Sequence, residues 1–232
     1  MRIAVRAGRP AAVLLLSLLA LTAATALPAA DLQGVLELRA RGRAERDGSV
    51  DLREAVVTFT PAAPAVTRPP AGRFAMKTVK KEFEPRVLVV PAGSTVEFPN
   101  QDPILHNVFS VSGRNAFDLG LVGKGPGKAW RFDHAGLVRV FCNVHHAMVA
   151  YVMVVDTPFH TRPAADGGFA LRGVPDGPGK LVLWHERAEP RTLDLTGPGA
   201  APAKIVLEVS KPRIPPHTNK LGKAYGSTRS YD

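Results

Sequence analysis

The stretch VRVFCNVHHAM, residues 138–148, runs directly into the apolar segment VAYVMVV, residues 149–155. The β-branched and aromatic residues on both sides predict two β-strands joined by a short connection. Cys142 then ends the first strand, and His145 and Met148 lie within the connection. A thiolate, an imidazole and a thioether can therefore converge on one point.

The N-terminal segment predicts export. Three arginines precede the apolar run 11–21, and small residues follow it. This pattern is typical of a secretory signal peptide, residues 1–26, with cleavage after Ala26 favoured over Ala29 or Ala30. No later stretch reaches the length of a membrane-spanning helix. The protein is therefore predicted to be periplasmic or secreted, without a transmembrane segment.

The single cysteine needs an explanation in an exported protein. Cys142 has no partner in the chain for a disulfide. A lone thiol persists outside the cytoplasm if it is buried, if it pairs between chains, or if it binds a metal. One thiolate, two imidazoles and a thioether form the ligand set of blue-copper sites. His106 is placed to supply the second imidazole, after a hairpin-like pair of strands at 86–98 and before the apolar segment 108–111.

Two segments resemble a known family. VLVVPAGSTVEFPNQDPILHNVFS and VRVFCNVHHAM look like the two signature regions of the cupredoxins, above all the plastocyanin- and amicyanin-like proteins with a short Cys-x-x-His-x-x-Met loop. The resemblance covers residues 76–155. It implies a Greek-key β-sandwich with one type 1 mononuclear copper ion as cofactor, held by His106, Cys142, His145 and Met148. It also implies that the side chain of Asn107 ties the two ligand loops together.

The loop departs from the family pattern at two positions. Val144 stands where plastocyanins and amicyanin carry proline, so the loop gains a backbone N–H and loses some rigidity. His146 follows the proposed ligand His145, and it either competes as a ligand or lies at the surface. A surface position is favoured, because a shift of one residue would move the thioether of Met148 by several ångströms.

The ligand set predicts an electron carrier and not an enzyme. Thiolate and thioether favour the cuprous state while imidazoles suit both states, so the geometry changes little on electron transfer. Four protein ligands leave no open position for a substrate. The resemblance implies that electrons pass through the exposed edge of His145, beside His146 and Ala147. The predicted partner is a redox protein, such as a c-type cytochrome or a dehydrogenase, with an acidic docking face.

The flanking segments predict further β-structure. Residues 31–62 contain two strand-like segments, and residues 157–210 carry turn and strand patterns that resemble carboxypeptidase regulatory-like (transthyretin-like) β-sandwiches. The chain is therefore predicted to be all-β, with the cupredoxin-like domain, residues 74–156, inserted into a prealbumin-like sandwich. An alternative is one enlarged sandwich with extra flanking strands. His185 next to Glu186 is interpreted as structural, since neighbours on a strand face opposite sides.

Charge gives a last set of expectations. The formal net charge of +10 falls to +7 when the three arginines of residues 1–26 are removed. The tail, residues 211–232, holds five basic residues and one acidic residue among prolines and glycines, and it is predicted to be disordered. Export disfavours nucleic acid as a partner of the basic tail and favours an acidic protein or anionic lipid. A solvated tail without a specific partner fits the composition equally well. Without a spare cysteine for a disulfide, a monomer is predicted.

Two other functions fit the same sequence. One is a copper-binding or storage module without electron transfer, in which His146 or solvent perturbs the site. The other is a structural envelope protein that uses its β-sandwiches for contacts with protein or glycan. Stoichiometric metal binding and a rise in melting temperature with copper distinguish the metal-binding functions from the structural one.

Overall fold

The computed structural model describes residues 29–42, 44, 50–63 and 68–225, so the predicted signal peptide lies outside the described residues. The strands are β1 (Ala29–Ala40), β2 (Val56–Pro61), β3 (Arg73–Ala75), β4 (Lys77–Val79), β5 (Glu82–Glu84), β6 (Val87–Pro91), β7 (Ser94–Asn100), β8 (His106–Ser110), β9 (Phe117–Val122), β10 (Gly125–Phe132), β11 (Gly136–Phe141), β12 (Val149–Val155), β13 (His160–Thr161), β14 (Gly168–Pro175), β15 (Gly179–Trp184), β16 (Arg191–Leu195) and β17 (Lys204–Val209). Short 3-10 helices lie at Leu52–Glu54, Gly113–Asn115 and Pro198–Ala200.

Strands β3 to β12 form what we call the inner sandwich. One sheet has the order β10-β7-β4-β5, with β3 also paired to β7, and the other has the order β6-β12-β11-β8-β9. Alternate residues of β11, Val138 and Val140, point into the core between the sheets, and Cys142 follows them into the same core. The predicted all-β fold is confirmed, and Cys142 directly follows a strand as the sequence indicated.

The hairpin predicted at 86–98 is wrong. Strand β6 pairs in parallel with β12, whereas β7 pairs antiparallel with β10 in the opposite sheet. The chain crosses between the sheets at Pro91–Gly93, where the backbone N–H of Ala92 donates to the carbonyl of Val155 and that of Gly93 donates to the carbonyl of Phe132. A Pro-Ala-Gly turn serves either connection, so only the available partner strands decide between them.

The remaining strands form the outer sandwich, built from segments before and after the inner one. Its sheets have the orders β14-β1-β17 and β13-β2-β15-β16, and they share a separate apolar core. Strand β16 has no counterpart among the strands expected from the sequence, because it is a mostly exposed edge strand with little apolar patterning. The likeness to prealbumin-like folds and the domain boundaries stay predictions.

The two sandwiches share an apolar interface. Strand β12 is apolar on both faces because Ala150 and Val152 fill the inner core while Tyr151 faces the outer sandwich. The Tyr151 ring meets Trp184 of β15 edge-on, with centroids 5.3 Å apart. Beside it, Arg86 Nε donates to Glu186 Oε2 at 2.7 Å, and the Glu186 side chain is 1% exposed. Apolar burial and one largely buried ion pair therefore join the two sandwiches.

The C-terminal segment differs from the disordered tail expected for residues 211–232. Residues 211–225 lie against the folded body, and residues 226–232 are outside the described residues. Arg86 Nη2 donates to the carbonyl of Arg213, and Lys220 Nζ donates to the carboxylate of Asp118. These contacts depend on surfaces that composition does not describe. Within the described residues, no helix has the length and apolar character needed to cross a membrane.

Candidate metal centre

Three of the predicted ligands converge at one end of the inner sandwich. His106 begins β8, Cys142 follows β11, and His145 lies in the ligand loop, residues 142–148. Cys142 Sγ is 3.9 Å from His106 Nδ1 and 3.8 Å from His145 Nδ1, and the two Nδ1 atoms are 3.1 Å apart. All three side chains are buried. Adjacent strands of one sheet thus bring together residues 36 positions apart in the chain.

Asp102 orients the first histidine, and sequence reasoning missed it. Its Oδ2 accepts a hydrogen bond from His106 Nε2 at 2.9 Å. Since Nε2 carries the proton, Nδ1 presents its lone pair to the other two donors. Burial lowers the pKa of His106 although the Asp102 carboxylate acts to raise it, so the imidazole is neutral near pH 7. The available signal was that a buried imidazole needs an acceptor, and an aspartate stands four residues earlier.

A tight turn holds that carboxylate. The backbone N–H groups of Lys80 and Lys81 donate to the two oxygens of Asp102 at 2.6 and 2.9 Å. Burial raises the pKa of Asp102, but these two N–H groups and His106 outweigh it, and the net pKa is lowered. Asp102 therefore stays ionised and stabilises the N–H tautomer of His106 that faces it.

The thiol of Cys142 is surrounded by backbone donors. The N–H groups of Asn107 and His145 lie 3.4 and 3.5 Å from Sγ and donate to it. The loop closes on itself through Met148, whose carbonyl accepts from the Cys142 N–H at 3.3 Å and whose N–H donates to the His145 carbonyl at 3.1 Å. These two N–H groups and the closed loop fix the position of the Cys142 sulfur.

Met148 is buried in the same core cluster as Cys142. Its backbone position closes the ligand loop, and its side chain is 2% exposed. Val144, which replaces the family's proline, is half-buried against that cluster. Among the described residues, the group of converging donors comprises His106, Cys142 and His145 and does not include His146.

Asn107 acts differently from the implied role. Its Nδ2 donates to Asp118 Oδ1 at 2.8 Å and to the Gly120 carbonyl at 2.9 Å, both on β9. The side chain therefore braces β8 against its neighbour strand, where a carboxylate offers a strong acceptor. Its backbone N–H, and not its side chain, connects to the ligand loop by donating to Cys142.

Little of His145 reaches the surface, where the resemblance implied an exposed ring edge. His145 is 6% exposed. Its neighbour His146 is half-buried, and the ring of Tyr225 lies over it with centroids 3.6 Å apart. Ala147 is exposed. The metal-binding end therefore carries a contact from the C-terminal segment, which the sequence did not indicate.

The donor geometry fits a metal ion. Nitrogen and sulfur ligands bound at about 2.1 and 2.3 Å to one ion are separated by about 3 to 4 Å, as these donors are. The two Nδ1 atoms also face each other at 3.1 Å, which brings two lone pairs together unless a proton or a cation lies between them. One thiolate with two imidazoles suits copper, and a cuprous or cupric ion would supply one-electron chemistry there.

A second histidine–carboxylate pair, interpreted from the sequence as structural, lies in a turn and not on a strand. His185 and Glu186 follow β15 in a turn and are both buried, so they do not sit on opposite faces of a strand. His185 Nδ1 accepts from the Arg187 N–H at 3.2 Å, and burial lowers the pKa of His185 to about 4. Glu186 takes part in the packing between the sandwiches through its ion pair with Arg86.

The fold and the site define an all-β protein with a buried cluster of two histidines and one cysteine that suits a soft or borderline metal ion. No protein-family model matches the chain, and no curated protein matches it. Solved structures to which it is similar are cupredoxins and related copper proteins. Amicyanin from Paracoccus versutus is 25% identical over 42% of this chain and 98% of its own, with a TM-score of 0.34.

Two further structures show the same range of similarity. A purple cupredoxin from Nitrosopumilus maritimus is 22% identical over 35% of this chain and 98% of its own, with a TM-score of 0.32. A copper-containing nitrite reductase from Thermus scotoductus SA-01 is 25% identical over 41% of this chain, with a TM-score of 0.34, and the match spans 25% of that reductase. At these TM-scores the donor atoms of the site, and not the likenesses, indicate its chemistry.

Proposed function

We propose that this chain is an exported copper protein that binds one copper ion in a type 1 site and carries single electrons between redox proteins. His106, Cys142 and His145 are the strong ligands, and Met148 is the weak axial ligand. The observation that carries the proposal is the convergence of three buried donors, with the lone pair of His106 fixed by Asp102.

The surroundings of the site support electron transfer over substrate chemistry. The donors are buried, and the Cys142 sulfur accepts backbone hydrogen bonds from β8 and from the ligand loop, so little rearrangement accompanies a change in charge. A ligand set of four protein groups leaves no position for a substrate, so we propose no enzymatic activity. The basic chain fits an acidic docking face on a partner such as a c-type cytochrome or a dehydrogenase.

A cupric titration followed by visible absorption tests the proposal. We expect an intense thiolate-to-copper band that saturates at about one copper per chain and that is reversibly bleached by reductant. Cys142→Ser is expected to lose the band. Ser110→Ala changes a residue of the neighbouring strand β8 that is far from Cys142 in the sequence, and as the matched control it is expected to keep the band. A band that survives in Cys142→Ser would overturn the site.

The rate of reduction separates an electron carrier from a storage module. A carrier is reduced rapidly by a small reductant and re-oxidised rapidly by a small oxidant. A module that binds one copper ion but is reduced slowly or irreversibly would retain the metal site and exclude the carrier function. Absence of stoichiometric copper, with no rise in melting temperature, would favour a structural envelope protein.

A further inference from the structure

The C-terminal segment crosses the end of the inner sandwich that holds the metal-binding cluster. We call residues 213–225 the strap. The strap begins at the sandwich interface, where Arg86 Nη2 donates to the Arg213 carbonyl at 2.7 Å. Further along, the His217 ring stacks on Phe141, the residue before Cys142, with centroids 4.4 Å apart and planes within 6°. The strap therefore reaches the ligand loop from the strand that precedes it.

The strap is then fixed to the ligand loop and to β9, the strand that pairs with β8 beside His106. Lys220 N–H donates to Asn143 Oδ1 in the ligand loop at 3.1 Å, and Lys220 Nζ donates to Asp118 Oδ2 at 2.7 Å. The other oxygen of that carboxylate accepts from Asn107 Nδ2, next to His106. Asp118 thus links the strap to the residue that follows the first histidine.

The last residue of the strap, Tyr225, lies against His146 and His217. The Tyr225 ring lies 3.6 Å from His146 and 5.2 Å from His217, centroid to centroid. Its hydroxyl is buried and has no hydrogen-bond partner among the described residues. Burial and the nearby charge of Cys142 raise the pKa of Tyr225 to about 12, so the phenol stays neutral near pH 7.

We propose that the strap is a closing segment that restricts access to the metal-binding cluster, and that it opens when its contacts to Asp118 and His146 break. The proposal rests on the proposed function only for the identity of the metal. The contacts are few, and the Lys220–Asp118 pair is about one-third exposed on each side, so the strap can open without unfolding the sandwiches. Opening would expose the end of the molecule that an acidic partner approaches.

Reaction of the Cys142 thiol with N-ethylmaleimide, an uncharged reagent, tests the strap in the metal-free, full-length protein. Cys142 is the only cysteine, so the rate reports one site. We expect Lys220→Ala and Tyr225→Ala to react about tenfold faster than the parent, which corresponds to about 1.4 kcal/mol in the opening equilibrium. Added salt is expected to accelerate the parent and to leave Lys220→Ala unchanged, because salt screens the exposed ion pair.

Two matched variants make the test specific. Lys223→Ala removes a strap lysine whose side chain makes no ion pair with the described residues, and Tyr225→Phe removes a hydroxyl that lacks a partner. Both are expected to react at the parental rate. Equal rates for the parent and all four variants would overturn the closing role of the strap. The same acceleration in Tyr225→Phe as in Tyr225→Ala would also overturn it. Circular dichroism and melting temperature establish that each variant is folded.

Copper loading distinguishes failure of the strap from failure of the proposed function. If the thiol rates change as expected but no copper binds, the strap restricts access to the cluster and the proposed copper function is wrong. If copper binds with the visible band but the thiol rates do not change, the proposed function is supported and the closing role of the strap is wrong. In the loaded protein, Lys220→Ala and Tyr225→Ala are expected to release cuprous ion to an external chelator faster than Lys223→Ala does.

Discussion

Asp102 and His106 form a buried carboxylate–imidazole pair, with 2.9 Å between Oδ2 and Nε2. The same carboxylate accepts the N–H groups of Lys80 and Lys81, whose φ angles of 52° and 58° lie in the left-handed region. A two-residue turn with both φ angles positive favours asparagine and glycine over lysine. Asp102 therefore supports an unfavourable turn and also orients His106, one of the proposed metal ligands.

The first prediction concerns that pair. Asp102→Ala is expected to weaken metal binding by about 10- to 100-fold, because His106 loses the acceptor that fixes its tautomer. Competition with a chelator of known affinity measures the effect with zinc or cuprous ion. Asp133→Ala, which removes an exposed carboxylate paired to Arg131, is the control and leaves affinity unchanged. Equal affinities in the two variants would contradict the role assigned to Asp102.

The second prediction separates packing from ligation at Met148. Met148→Leu nearly conserves volume in the core, so its stability is expected to lie within about 1.5 kcal/mol of the parent. The axial ligand sets part of the energy difference between cupric and cuprous copper, so the loss of the thioether donor is expected to shift the reduction potential. Urea unfolding of the metal-free protein and a redox titration of the loaded protein measure the two effects. An unchanged potential would remove Met148 from the ligand set.

The third prediction concerns the ion pair between the sandwiches. Arg86→Met leaves the Glu186 carboxylate buried without its partner and is expected to cost about 3–5 kcal/mol of unfolding free energy. The double variant Arg86→Met/Glu186→Leu is expected to be more stable than Arg86→Met, since no unpaired charge remains.

Urea unfolding of the parent and the variants gives these free energies. Arg131→Ala, which breaks an exposed pair with Asp133, is the control and is expected to change stability by less than about 1 kcal/mol. A double variant less stable than Arg86→Met would indicate that the contacts of Arg86 with the Val149 and Arg213 carbonyls, and not the charge pair, dominate.

The fourth prediction concerns pH. Burial lowers the pKa of His185 from 6.5 to about 4 in the folded protein. The unfolded chain therefore binds a proton at higher pH than the folded one does. Proton binding by His185 therefore leaves the free energy of unfolding unchanged above pH 6.5. It decreases that free energy as the pH falls toward 4, by about 3 kcal/mol in total.

Comparison with His185→Gln isolates this contribution, because other titrating groups act in both proteins. Urea unfolding at pH 7 and at pH 4.5 is expected to show a larger loss of stability in the parent than in the variant. The nearby charges of Arg187, Asp51 and Arg86 stay in place in both proteins. Equal losses would mean that protonation of His185 does not contribute.

The local pattern of the chain determined the all-β class and most of the candidate site. Alternating apolar residues before Cys142 place it at a strand end, and the spacing to His145 follows from the length of the loop. Strand β17 was recoverable because apolar, mostly β-branched residues dominate its six positions. These features depend on neighbours in sequence, so they can be read without knowing what the strands pair with.

The tertiary structure alone decided which distant groups meet. The Pro91–Gly93 turn permits a hairpin or a sheet crossing, and the position of β12 selects the crossing. Asp102 is one polar loop residue among several until His106 is buried and requires an acceptor. Residues 213–225 have the composition of a disordered tail, and their contacts come from the folded surface that includes Asp118, Asn143 and His146. Such contacts depend on packing between segments far apart in sequence, which local pattern does not encode.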